Sequence, residues 1–147
     1  MTAVEFHTGI EDPVGFACKL LRKAFRQGVR VLVTAPEAVL ARLDRALWVF
    51  EERDFIPHLR LSGPGSEKQA LAAQTPIWLS AAANHASAPN VVLNLGASAP
   101  IDMAPIERLI EVVSNEPDEV QAGRLRWRQY KALGLDVMRH PNTAPAA

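Results

Sequence analysis

The chain has 147 residues and carries 16 Lys and Arg against 16 Asp and Glu, so its formal charge is zero and it lacks the global basic field that grips nucleic-acid phosphates. Apolar residues make up 48% of it, enough for one core in a single domain. One cysteine, Cys18, rules out an internal disulfide and a thiolate metal cage.

The opening MTAVEFHTGIEDP has neither the basic nor the apolar region of a signal peptide, and no apolar run is long enough to span a bilayer. A soluble, cytoplasmic protein without a membrane partner is expected. Neutrality gives little protection against self-association, which suits a chain that normally has a partner.

In chain order, Val4-Glu5-Phe6-His7 alternates in polarity and predicts a first strand. Asp12-Pro13 reads as an N-cap with proline in the first turn, opening a helix over residues 14–27 with Phe16, Ala17, Leu20, Leu21 and Ala24 on one side. Gly28 suits the left-handed residue that ends many helices. The β-branched run 29–33 predicts a buried strand, and residues 36–48 a second helix with the core stripe Val39, Leu40, Leu43 and Leu47.

Residues 55–61 read as a short strand or ordered edge segment, 62–75 as a mobile loop, and 76–79 and 91–95 as strands. Residues 96–105 read as a loop, 106–108 as a short helical turn, 109–113 as a strand and 117–133 as the last helix, closed by Gly134. Residues 1–140 then form one domain and 141–147, rich in Ala and Pro, a flexible tail. The alternation of strand and helix predicts an α/β, Rossmann-like three-layer fold, with a mainly parallel sheet and helices on both faces.

Enzyme signals are weak. The first strand–helix junction, residues 8–13, has one glycine and two carboxylates where a dinucleotide fold needs a glycine-rich turn, and those carboxylates repel a pyrophosphate. Residues 63–68 lack the Gly-Lys-Ser/Thr ending of a phosphate loop. His7, His58, His85 and His140 are scattered, with no second ligand at helical spacing, so no metal and no other cofactor is expected. Cys18, inside an amphipathic helix, reads as a small buried hydrophobe, and no serine sits in a nucleophile elbow.

Two constellations stand out. Trp48 projects away from the stripe of its helix, with Phe55, Ile56 and Pro57 close behind; it either anchors a partner or packs on Phe55 inside the fold, and periodicity does not choose. On the last helix Arg124, Trp127, Arg128 and Lys131 share one stripe, with Val120 a turn earlier. Three cations beside an indole suit an acidic peptide with an apolar end, or single-stranded nucleic acid; the helix alone favours the plainer reading of a solvated basic face.

The run Leu43-Asp44-Arg45-Ala46-Leu47-Trp48, followed by Phe55-Ile56-Pro57-His58, resembles the central signature of the chi subunit of bacterial DNA polymerase III. Residues 28–33, 94–96, 108–113 and 124–131 resemble further segments of that family in the same order, across nearly the whole chain. The resemblance implies a noncatalytic clamp-loader accessory protein that binds the psi subunit on one side and the acidic C-terminal tail of single-stranded DNA-binding protein on another, touching DNA only indirectly.

Some members also bind a DNA-repair helicase through the psi-facing surface. Carried over residue by residue, the resemblance implies Trp48, Phe55 and Pro57 for psi, and Arg124, Trp127 and Arg128, with Val113 lining an apolar pocket, for the tail. A basic residue of some members falls at Val120 here, and Lys131 is a candidate to compensate. The alternative from another class is a nucleotide- or nucleic-acid-binding enzyme on a Rossmann-like fold; direct binding of single-stranded DNA through the Trp127 stripe is a third reading.

Overall fold

The computed structural model describes residues 2–49, 55–61, 72, 74–83, 85, 87–100 and 102–141. The elements run β1 (Ala3–Ile10), α1 (Pro13–Arg26), β2 (Val31–Thr34), α2 (Glu37–Val49), β3 (His58–Arg60), β4 (Ile77–Ser80), β5 (Val91–Asn94), β6 (Arg108–Ser114), α3 (Pro117–Ala132) and β7 (Asp136–Pro141). The strands form one seven-stranded sheet in the order β3-β4-β2-β5-β6-β1-β7, and every pairing is parallel. This is the expected α/β architecture with helices on both faces.

Local chemistry explains the elements. The Asp12 carboxylate accepts from the Gly15 amide at 3.1 Å and Pro13 opens α1, while Gly28 takes a positive φ of 73° just beyond its end. Strands β2 and β4 are buried at every position, as central parallel strands covered on both sides must be. On one face Ala17, Leu21, Leu40, Leu43 and Leu47 of α1 and α2 pack on Val31, Val33, Leu79, Leu93 and Ile110. On the other, Tyr130 and Trp127 of α3 pack with Val4, Phe6, Leu109, Val113 and Val137.

Two expectations need correction. Residues 106–108 form no helical turn: the amides of Glu107 and Arg108 bond to the Asn90 carbonyl, and Arg108 opens β6, paired with Ala3 and Val91. Residues 136–141 form a strand that the sequence reading missed, and it extends through Pro141. β7 lies at the sheet edge beside β1 and buries only Val137, so its apolar signal is faint. Most of the expected loop at 62–75, and residues 142–147 of the expected tail, lie outside the described residues.

A buried polar network locks α3 to the sheet. Glu111 of β6, 0% exposed, accepts from Arg126 Nε at 3.1 Å, Tyr130 Oη at 2.6 Å and Asn94 Nδ2 at 3.0 Å. The Asn94 Oδ1 accepts in turn from the Thr34 hydroxyl and the Ala97 amide. Burial pushes the Glu111 carboxyl above the ordinary carboxylate range, and the Arg126 guanidinium with the other donors opposes that rise. Burial first, and the Glu111 charge second, push the Tyr130 phenol up, so it remains a donor.

Removing one partner of such a pair strands the other in low dielectric. Glu111→Ala should therefore destabilise the fold by about 3–5 kcal/mol, whereas the double variant Glu111→Met/Arg126→Leu should lose clearly less; urea unfolding of the two checks this.

Candidate functional site

Two surfaces emerge, one toward each edge of the sheet. Near the β3 edge, Trp48 at the end of α2 is 59% exposed and Phe55 is 55% exposed, with ring centroids 5.1 Å apart. The two aromatics pack on each other, yet outside the core. His58 supports them: its ring lies edge-on to Trp48 at 5.1 Å, Nδ1 donates to the Ile56 carbonyl at 2.7 Å, and Nε2 lies 2.8 Å from Asp44 Oδ1. Pro57 between them is half-buried, and Val49 adds a further exposed apolar side chain. Leu43 and Leu47 of the same helix are buried, so α2 presents one apolar stripe inward and a separate indole outward.

The second surface is a groove of about 560 Å³ at the carboxyl ends of β1, β6 and β7, roofed by Val120 to Trp127 of α3. Phe6, Val113, Val120 and Trp127 give it apolar walls, and Arg124 and Arg139 give it charge. Trp127 is held edge-on against Phe6 at 5.1 Å. Gly123 brings α3 close to the sheet: a Cβ there would lie 3.0 Å from Val113 Cγ2. Residues Arg124, Trp127 and Val113, nominated from sequence, thus meet at one groove.

Arg128 and Lys131 do not line it; Arg128 is exposed, and the Lys131 ammonium stands 5.7 Å from the centre of the Trp127 ring. Sequence reasoning missed Phe6, Gly123 and Arg139. The 124–127 stripe hinted at Gly123 beside it, but Arg139 depended on recognising β7.

A third concavity lies beyond the carboxyl ends of β1, β5 and β6, on the side of the sheet where open parallel sheets bind ligands. Its lining includes Glu11, Asp12, Glu116 and Glu119 against one cation, Arg42. Four carboxylates repel a phosphate chain, which extends the objection raised at the first strand–helix junction. Burial first, with the Asp12 charge adding to it, raises the Cys18 thiol to about 11, unlike an activated nucleophile. Among the described residues no cluster of three or more His, Cys, Asp or Glu could hold a metal, and no helix is long and apolar enough to cross a membrane.

The family model described as DNA polymerase III chi subunit, HolC, matches residues 1–138. The chain is 34% identical over 145 residues to DNA polymerase III subunit chi of Pseudomonas aeruginosa, covering 95% of this chain and 96% of that one. The chain belongs to the chi subunit family of DNA polymerase III. The chi subunit of Escherichia coli is 25% identical over 138 residues, covering 92% of this chain and 88% of its own length. The family match spans the aromatic patch and the groove-lining residues up to Trp127, while Arg139 and Pro141 of the groove lie just beyond it.

The exposure of the patch has a measurable consequence. Trp48→Ala should cost less than about 1 kcal/mol, the range of an exposed aromatic contact. Trp78→Ala, which removes a fully buried ring whose Nε1 donates to the carbonyls of Ala72 and Thr75, should cost about 3–5 kcal/mol. Denaturant unfolding of both variants tests the contrast.

Proposed function

We propose that this chi-family protein is a noncatalytic cytoplasmic adaptor. It joins the DNA polymerase III clamp loader, through psi, to the acidic C-terminal tail of single-stranded DNA-binding protein during replication. The observation that carries the reading is the coexistence of two chemically different surfaces on one rigid sheet. One is an exposed aromatic patch, Trp48 with Phe55 and Pro57. The other is a cationic groove with an apolar floor. From β3 to β1 there are five strand spacings, about 24 Å, so two partners can bind without meeting.

The chemistry of the groove suits the tail, which carries acidic residues and ends in Pro-Phe with a free carboxylate. Arg124 pairs with the terminal carboxylate and the phenyl ring enters beside Val113 and Trp127. Arg128 and Lys131, further along the exposed stripe, attract the acidic residues upstream. Exposed charges of this kind are screened, so single-tail affinity is modest and falls with salt. Single-stranded DNA-binding protein presents several tails on coated DNA, and avidity raises the apparent strength there. Trp48 and Phe55 supply the apolar anchor for psi, and a repair helicase that uses the same patch competes with psi.

Fluorescence titration with the cognate tail peptide, beside a copy lacking the terminal Phe, tests the groove. Saturable binding that requires the Phe is expected, weakened roughly tenfold by Trp127→Ala and roughly fivefold by Arg124→Ala. Trp48→Ala should lose psi in pull-down while keeping the tail. Equal binding of both peptides, or none of either, would sink the tail assignment.

A further inference from the structure

We infer that the edge strand β7 supplies a second cation to the groove, and that Arg139, with Arg124, clamps the terminal carboxylate of an acidic peptide that ends in an aromatic residue. This deepens the tail-binding reading and rests on it. Along β7 side chains alternate, and Val137 is buried against the α3 layer, so Arg139 and Pro141 are turned to the same side. Arg139 is in register with Phe6 and Pro141 with Thr8, which sets both beside the strand that floors the groove. Both line it, across from Arg124 on α3.

Among the described residues, the cations on these facing walls have no carboxylate partner. No carboxylate is among the groove-lining residues, and neither Arg124 nor Arg139 is in an ion pair among the described residues. The Arg139 side chain makes one long contact, Nε to the Thr8 hydroxyl at 3.4 Å, which steers the guanidinium without neutralising it. Two like charges facing across a cleft repel each other when it is empty and are relieved when an anion enters.

The floor between them is apolar, with Phe6, Val113 and Trp127 in reach of one ring. An anion joined directly to an aromatic side chain fits both demands, and a chain-terminal aromatic residue is that combination. An internal acidic segment lacks the terminal carboxylate, and free inorganic phosphate lacks the ring.

The test is a titration of full-length protein with an acidic peptide ending in Pro-Phe and with the same peptide amidated at its C-terminus. Wild type, Arg139→Ala, Arg139→Gln, Arg124→Ala and Arg128→Ala are compared, with thermal melts to confirm folding. Arg139→Ala should weaken the free-acid peptide roughly fivefold, as for a partly exposed charge pair. The penalty for amidation seen in wild type should shrink in that variant, which a cation acting on the upstream acidic residues would not produce. Arg139→Gln, which keeps most of the stem, should behave alike and stands in should Arg139→Ala fail to fold.

If wild type binds, Arg124→Ala weakens binding and both Arg139 variants bind within twofold of wild type with the amidation penalty intact, the clamp is wrong and the tail reading survives. If wild type binds neither peptide, both fall. If Arg128→Ala alone abolishes the amidation penalty, the carboxylate sits outside the groove and the clamp is overturned.

Discussion

One buried carboxylate organises much of this molecule. Glu111 is inside β6 with no solvent contact, and only Arg126 and Tyr130 of α3, with Asn94 of β5, make that tolerable. α3 has little else to hold it: its other inward residues are Val120, Gly123 and Trp127. A helix so polar would dock loosely on hydrophobic contact alone. A directional ionic anchor at Arg126 and a close steric contact at Gly123 fix both its height and its rotation. The rotation decides which side chains turn outward, so Arg124, Arg128 and Lys131 present themselves because Arg126 and Tyr130 are tied down.

The readability of the fold followed burial. β2 and β5 are covered on both faces, and their unbroken apolar runs announce them. The helices were legible from period and caps, and Trp48 was legible as an outlier from its own stripe. β7 was not, because an edge strand with one buried residue carries almost no pattern, and Arg139 was lost with it. Arg126 looks in sequence like one cation among several in a basic helix, yet it is 6% exposed; its partner is 15 residues away on a strand, a pairing that local pattern does not encode. The groove was therefore half visible, its helical wall readable and its strand wall hidden.

The sheet also sets the relation between the two surfaces. Parallel strands all end at the same side, so the groove gathers carboxyl ends of β1, β6 and β7, while the aromatic patch sits at the end of α2 near β3. Nothing in the described residues links them except the packed sheet itself. A stiff sheet between two surfaces is mechanically different from a hinge. A change at one surface leaves the other unaltered unless the core moves, and close-packed cores resist such movement.

The position of β1 carries a further consequence. The strand nearest the amino terminus is inserted between β6 and β7, the last strands made, with Ala3 beside Asp136. The first strand in the chain thus finds both of its neighbours about a hundred or more residues away in sequence. Such distant pairing closes long loops and is slow. The groove contains pieces of all three strands, so it is complete only once β1 has paired with both β6 and β7.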